Sequence, residues 1–159
     1  CSSSDRHLRD FRKKLEDLMQ ELARQIVRDG EGASKFVTIQ ISGGASEKAA
    51  RRIGLAVANS PLVKTAIAGG DANWGRVVMA VGKTGEKVDR DLLSISMGGI
   101  PIARKGEIIK GYDEKPVTAH LKGREIMLEI DVGVGRGCAT VWTCDLTHDY
   151  ITINADYRS

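Results

Sequence analysis

The stretch Asp29-Gly30-Glu31-Gly32-Ala33-Ser34-Lys35-Phe36 separates two contrasting patterns in the chain. A long amphipathic pattern runs into it, and a run rich in β-branched residues leaves it. Glycine adopts backbone angles that a Cβ forbids, so the stretch predicts a sharp turn whose main chain a ligand can approach closely. A carboxylate between the glycines, beyond the helix end, suits recognition of an amino group. The alternative is that Gly30 ends the helix and Glu31 is a solvated turn residue.

The sequence before this turn predicts one long helix over residues 4–28. We interpret this helix as a packing element without chemistry of its own. We expect residues 1–159 to form one domain-level unit, with the helix over 1–28 joined to an α/β body over 29–159. The apolar residues that recur at helical spacing are Leu8, Phe11, Leu15, Leu18, Leu22 and Ile26.

Beyond the turn the sequence predicts strands that first alternate with helices and then mostly follow one another. Ser46 is placed to cap a helix, and Pro61 prevents that helix from continuing. Two strand–helix alternations followed by mostly antiparallel hairpins predict an α/β sandwich with layered sheets. Strands are predicted over 36–42, 62–68, 92–97, 100–104, 125–132, 138–144 and 150–154, and helices over 46–59, around 77–81 and over 113–121.

The composition excludes several classes of function. The chain has 159 residues, of which 42% are hydrophobic and 4% aromatic, so its core must be aliphatic. The net charge of +3 is spread along the chain, without the basic stripe and interleaved aromatics of a nucleic-acid-binding protein. No apolar run approaches membrane-spanning length, and the N-terminus is not a signal peptide. We therefore expect a cytoplasmic protein with no nucleic-acid or membrane partner.

The three cysteines are too few and too badly spaced for a disulfide framework or a zinc site. Cys138 and Cys144 lie on one predicted strand, about 20 Å apart, so they cannot pair with each other. We interpret them as buried free thiols.

Three familiar signatures fail because of their context. The Gly-Lys-Thr run at 82–84 resembles the end of a P-loop but lacks the first glycine and follows a helix. The glycines at 133, 135 and 137 precede a strand, where a dinucleotide-binding loop precedes a helix, so we expect a hairpin turn. His148 beside Asp149 lacks the nucleophile elbow of a hydrolase, which favours a surface or packing role.

Two further segments leave alternatives open. The Asn-Trp-Gly-Arg run at 73–76 could bind an anion at a helix start, or Trp74 could anchor the turn while Arg76 pairs with Asp71 or Asp145. The C-terminal tail offers the amide of Asn154 together with the hydroxyl and terminal carboxylate of Ser159. That tail could dock, or it could fray as an ordinary terminus.

Five segments together resemble a known family. They are DGEGASKF at 29–36, ANSPLVKTAI at 58–67, DANWGR at 71–76, TCDLTHDY at 143–150 and INADYRS at 153–159. In this order and spacing they resemble the C-terminal part of the bifunctional ornithine acetyltransferase (glutamate N-acetyltransferase) family of arginine biosynthesis, from about residue 15 to the end. The resemblance implies a layered α/β/β/α-type sandwich with mixed, largely antiparallel sheets, of the N-terminal-nucleophile-like kind.

The resemblance also implies an activity. Members of that family cleave themselves before a Thr, which becomes the N-terminal nucleophile of the β chain. This Thr takes acetyl from N-acetylornithine and passes it to glutamate by a ping-pong route, and the α chain supplies the oxyanion hole. The implied partners are the α chain and the N-terminal part of the β chain, in an α2β2 heterotetramer. No metal or cofactor is implied.

The chain lacks the family's Thr-containing cleavage junction, and Cys1 does not align with that Thr. Cys1 could in principle act through its own α-amine, but a polar helix start follows it instead of a buried strand. We therefore expect no catalytic residue in this chain and no activity from it alone. The family's substrate contacts carry over by motif onto Glu31, Asn154 and Ser159, and Ser159 stands where the family usually has Thr.

Two other functions remain open at this stage. One is a self-processed amide hydrolase or aminopeptidase of related architecture, in which water accepts the acyl group. The other is a non-catalytic module that binds amino acids. The sequence also leaves open whether acetyl-CoA serves as a second acetyl donor.

Overall fold

The computed structural model of the chain describes residues 6–157, which form six helices and one six-stranded sheet. The helices are α1 (Arg6–Arg28), α2 (Glu47–Ala58), α3 (Pro61–Ala68), α4 (Trp74–Gly82), α5 (Glu114–Leu121) and α6 (His148–Asp156). The strands are β1 (Phe36–Gly44), β2 (Ser94–Met97), β3 (Ile100–Arg104), β4 (Glu107–Ile108), β5 (Glu125–Asp131) and β6 (Gly137–Cys144).

The sheet has the strand order β4-β3-β2-β5-β1-β6. Strands β1 and β5 are parallel, and the other four neighbouring pairs are antiparallel. The mixed, largely antiparallel α/β class predicted from the sequence is therefore confirmed.

One face of the sheet carries the core. Alternate residues of β1, namely Val37, Ile39 and Ile41, are buried, as a period of two requires when one face is covered. Helix α2 covers this face with Ile53 and Val57, which are fully buried. Burying each such aliphatic side chain contributes about 1.5–3 kcal/mol to folding. The helix begins where predicted, because the Ser46 hydroxyl accepts a hydrogen bond from the Ala49 N–H at 3.1 Å.

The opposite face of the sheet is polar and open. Gln40, Thr140 and Glu129 line a depression of about 610 Å³ on it. Helix α1 reaches this side through Trp142, whose ring centroid lies 5.4 Å from the guanidinium carbon of Arg24. The predicted α1 is confirmed, but its apolar stripe is mostly exposed in the described part of the chain, and its packing role stays a prediction. The exposed members include Phe11, Leu15, Leu18, Met19, Leu22 and Ile26.

The predicted strand over 62–68 is wrong, because these residues form helix α3. The Ser60 hydroxyl accepts a hydrogen bond from the Val63 N–H, and Pro61 occupies the first helical position, where its missing N–H costs nothing. Val63, Ala66 and Ile67 are buried at helical spacing.

The predicted strand over 150–154 is also wrong, because it lies within helix α6. The β-branched residues at 151–153 suit a strand, but strand propensity depends on context, and hydrogen bonds within this segment follow the helical spacing of four residues. The Thr152 hydroxyl donates to the His148 carbonyl at 3.2 Å, and the Asn154 amide donates to the Tyr150 carbonyl at 2.9 Å.

The glycine loop between β5 and β6 is not the predicted hairpin turn. Strand β1 lies between β5 and β6, so the loop must cross the end of β1. A Cβ at Gly137 would lie 2.2 Å from the carbonyl carbon of Ser46, and one at Gly135 would lie 2.5 Å from the Gly44 oxygen. The glycines therefore serve close backbone packing.

Cys138 and Cys144 are both free thiols, as predicted. The expectation that both are buried is wrong, because Cys144 is only partly buried and Cys138 is exposed on the polar face of the sheet. Across residues 6–157 no helix is both long and apolar enough to cross a membrane.

Candidate functional site

Residues 29–35, here called the Glu31 loop, connect α1 to β1. The loop begins with helix-end bonds from the Asp29 N–H to the Gln25 carbonyl and from the Gly30 N–H to the Val27 carbonyl. The left-handed backbone angle falls not at Gly30 but at Gly32, which has a φ of +69°. The sharp turn that the sequence predicts is therefore made at Gly32, and it leaves Glu31 exposed.

Asp145, which follows β6, holds the base of the Glu31 loop. Its Oδ1 accepts hydrogen bonds from the Ser34 N–H at 2.8 Å and the Lys35 N–H at 2.9 Å, and its Oδ2 accepts one from the Ser34 hydroxyl at 2.5 Å. Asp145 is only 3% exposed, and a buried carboxylate is tolerated when donors surround it in this way. The predicted Arg76–Asp145 pair is therefore wrong.

Lys35 ties the same loop to the end of α3. Its Nζ donates to the Ile67 carbonyl at 2.6 Å and to the Ala68 carbonyl at 3.2 Å. These are C-terminal carbonyls that the helix cannot pair internally, and a cation there also complements the helix dipole. Helix α3 has no basic residue in its own last turn, so Lys35 supplies this charge from the loop.

Helix α6 begins against the tip of the Glu31 loop. The Thr147 hydroxyl donates to the Gly32 carbonyl at 2.6 Å. A Cβ at Gly32 would lie 2.5 Å from the backbone nitrogen of Tyr150, so only glycine allows this approach.

The loop and the helix bring together two of the three residues that the family resemblance implies. The Asn154 Nδ2 donates to the Glu31 Oε2 at 2.9 Å across 123 positions of sequence. The structure therefore places Glu31 and Asn154 in direct contact, and their role as substrate contacts stays a prediction. Ser159 and Cys1 lie outside the described residues.

Hydrogen bonding at this contact leaves acceptors facing outward. The Asn154 Nδ2 donates to two acceptors, the Glu31 Oε2 and the Tyr150 carbonyl, so the amide must present its nitrogen there and its Oδ1 elsewhere. Neither this Oδ1 nor the Glu31 Oε1 bonds to any described residue, and both side chains are exposed. The pair therefore suits a ligand that donates hydrogen bonds, above all a cationic amino group.

Comparison with known proteins decides the family. A sequence profile described as the ArgJ family matches residues 2–159. The chain belongs to the ArgJ family.

The resemblance drawn from the five segments is thereby confirmed. The chain is 57% identical over 158 residues to the arginine biosynthesis bifunctional protein ArgJ of Zymomonas mobilis, covering 99% of this chain and 39% of that protein. It is 59% identical over 156 residues to that of Gluconobacter oxydans, covering 98% of this chain and 37% of that protein. The chain thus spans less than two fifths of the length of these curated relatives.

A solved structure in the family supports the fold. The crystal structure of the arginine biosynthesis bifunctional protein argJ from Bacillus halodurans matches with a TM-score of 0.94 and 37% sequence identity. The match covers 99% of this chain and 74% of that chain.

The run at 73–76, which is also one of the family segments, has a structural role in this fold. The Asn73 side chain accepts a hydrogen bond from the Arg76 N–H, which caps α4. Arg76 donates to the Leu62 carbonyl at 2.9 Å and the Thr65 hydroxyl at 3.4 Å, so its predicted pairing with Asp71 is wrong. Trp74 packs against the core, as the packing interpretation expected.

Sequence reasoning missed the residues that hold the site together. The contacts between the loop and the rest of the chain are made by Asp145, Lys35 and Thr147. The sequence pattern indicated an anchoring role for none of them. One signal was available: Thr147 precedes Asp149 in a pattern typical of a helix start. His148 is exposed at this helix start, which favours the surface alternative of its predicted surface or packing role.

Proposed function

We propose that the chain is part of an acyltransferase that moves an acetyl group from N-acetylornithine to glutamate. The observation that carries this proposal is the contact between Glu31 and Asn154, which forms an acceptor-rich site within the residues that the ArgJ family profile matches. The relatives that match nearly the whole chain are named bifunctional arginine-biosynthesis proteins, which supports the same activity.

The pair fits one end of N-acetylornithine. In that molecule the α-nitrogen is an amide and the side chain ends in a free ammonium group. The Glu31 carboxylate and the Asn154 Oδ1 are both acceptors, and hydrogen bonds to a charged group contribute about 1.5–3 kcal/mol each. We therefore assign the side-chain ammonium to Glu31 and Asn154, and Ser159 is proposed as a third contact through its hydroxyl.

The chemical step would use groups outside this chain. An upstream Thr hydroxyl attacks the acetyl carbonyl, forms an ester and releases ornithine with the proton on its amine. The α-amine of glutamate then attacks the ester, forms N-acetylglutamate and returns a proton to the Thr oxygen. This chain's residues bind and orient the donor, and no metal or cofactor takes part in these steps.

The proposed setting follows from that division of labour. Residues 1–159 form one domain-level unit that works with the α chain and the N-terminal part of the β chain in a cytoplasmic α2β2 heterotetramer. The chain alone is inactive, because it holds neither the nucleophile nor the oxyanion hole.

The test is an acetyl-transfer assay on the full-length protein that contains this chain. We expect N-acetylglutamate to form from N-acetylornithine and glutamate, and the Glu31→Ala variant to raise the KM for N-acetylornithine by about tenfold or more. Release of acetate at the same rate without glutamate would support the amide hydrolase instead. Amino-acid binding without turnover would support the non-catalytic module, and unchanged kinetics of Glu31→Ala would contradict the assignment of Glu31.

A further inference from the structure

Thr147 occupies a helix N-cap position but does not cap the helix with its side chain. It occupies the N-cap position of α6 with an extended backbone (φ −102°, ψ 173°), where a Thr hydroxyl normally accepts a bond from its own helix. Among the described residues its side chain makes no such capping bond. The hydroxyl instead donates to the Gly32 carbonyl at 2.6 Å. The group that could cap the helix is therefore used to join α6 to the Glu31 loop.

Helix α6 has little else to fix its position. None of its residues is buried against the described part of the chain. Its large apolar side chains Tyr150, Ile151 and Ile153 are 46%, 63% and 45% exposed. Core packing, which positions most helices, therefore contributes little here, and the contacts with the loop carry more weight.

The two side-chain bonds to the loop come from the start of α6 and from a point further along it. Thr147 immediately precedes the helix, and Asn154 lies seven residues later, about two turns on. They bond to adjacent loop residues: Thr147 to the carbonyl of Gly32 and Asn154 to the carboxylate of Glu31. A shift of the first bond would move the second.

We propose that Thr147 is a positioning residue that sets the Asn154 amide against the Glu31 carboxylate. This inference rests on the proposed function, because it assigns Thr147 to the binding site for the acetyl donor. Thr147 does not touch the donor itself. It acts through the helix that carries Asn154.

The experiment compares Thr147→Val with Thr147→Ser in the full-length enzyme. Valine keeps the shape of threonine and removes only the hydroxyl, whereas serine keeps the hydroxyl. We expect Thr147→Val to raise the KM for N-acetylornithine about threefold to tenfold, the effect of one lost hydrogen bond, and to leave kcat unchanged. Thr147→Ser is expected to resemble the wild type. An unchanged KM in Thr147→Val, or equal losses in both variants, would overturn the proposal.

A second comparison tests whether Thr147 acts through Asn154. In an Asn154→Ala background the side chain that Thr147 positions is already absent, so adding Thr147→Val should raise the KM no further. Additive effects of the two substitutions would show that Thr147 acts elsewhere and would overturn the inference.

Amide hydrogen exchange separates this inference from the proposed function. If the wild-type enzyme transfers no acetyl group, the proposed function fails, but the link between Thr147 and Gly32 is still measurable. Exchange over residues 148–157 should be faster in Thr147→Val than in the wild type and unchanged in Thr147→Ser. Equal exchange in all three proteins would refute the positioning role.

Discussion

The Glu31 loop and helix α6 each supply one acceptor to the proposed site, but they are held in opposite ways. Two contacts hold the base of the loop. The buried Asp145 accepts hydrogen bonds from the loop backbone, and Lys35 of the loop donates to the end of α3. The helix buries nothing against the described residues and rests on the loop through Thr147 and Asn154. The Glu31 loop is therefore fixed by the rest of the fold, whereas helix α6 is fixed by the Glu31 loop.

This difference separates two kinds of mutational effect. Changes at the base of the loop should lower the free energy of unfolding and disturb substrate binding together. Changes on α6 should disturb binding with little loss of stability, because few buried contacts depend on that helix. The following substitutions are ordered from the largest expected effect to the smallest.

Asp145→Ala tests the anchoring of the Glu31 loop. It leaves the partly buried N–H groups of Ser34 and Lys35 without their acceptor, which should lower the free energy of unfolding by about 3 kcal/mol. Asp145→Asn is the matched control, because its Oδ1 can accept both N–H bonds and its amide can donate to the Ser34 hydroxyl. Denaturant titration of both full-length variants checks this, and equal stability of the two would show that Asp145 does not anchor the loop.

Gly32→Ala tests the junction between the Glu31 loop and helix α6. An alanine at a φ of +69° is strained, and its Cβ would lie 2.5 Å from the Tyr150 nitrogen, so α6 must move. The matched control is Gly70→Ala, because Gly70 has a φ of +71° but no atom within 4 Å of a built Cβ. Both variants should lose about 1–2 kcal/mol of stability from the backbone strain alone.

Only Gly32→Ala should also raise the KM for N-acetylornithine, because only there does the new methyl group displace the helix that carries Asn154. A similar rise in KM for Gly70→Ala would mean that substrate binding responds to general destabilisation and not to the position of α6.

Tyr112→Phe tests a position outside both the Glu31 loop and helix α6. The Tyr112 hydroxyl is buried and has no hydrogen-bond partner among the described residues, so its removal should change stability by no more than about 0.5 kcal/mol and leave the KM unchanged. Burial, followed by the charges of Glu114 and Asp113, raises the pKa of Tyr112 above its ordinary value of about 10.

The direction of the pH effect follows from that shift. Below about pH 10 the phenol is protonated in both the folded and the unfolded chain, and above it the unfolded chain loses the proton first. The free energy of unfolding should therefore fall as the pH rises above about 10, and Tyr112→Phe should reduce that fall. Identical pH profiles of the two proteins would show that Tyr112 does not cause it.

The sequence predicted the elements whose signals are local. The alternation of Val37, Ile39 and Ile41 indicated β1, and Ser46 indicated the start of α2. Both signals arise within a single element and depend only on residues that are close in sequence. The segments 62–68 and 150–154 were assigned to the wrong type, because their apolar and β-branched residues suit a strand. The bond that starts α3 lies just before its segment, at Ser60, whereas α6 has no side-chain capping bond at its N-cap among the described residues.

The site was predictable only in part. Family resemblance pointed to Glu31 and Asn154, but no local pattern pairs two residues 123 positions apart. The contacts of Asp145 with the loop span 110 and 111 positions, and they depend on how β6 meets β1. Such bonds are set by the tertiary fold, so periodicity and capping signals carry no information about them.

The most direct test of the account compares two acetyl donors in the wild-type enzyme and in Glu31→Gln. N-acetylornithine ends in an ammonium group, and N-acetylnorleucine has a methyl group in its place. If Glu31 binds the ammonium, the wild type should prefer N-acetylornithine in kcat/KM, and Glu31→Gln should reduce that preference by about tenfold to a hundredfold. An equal preference in both enzymes would contradict the assignment of the Glu31–Asn154 pair to the amino group of the donor.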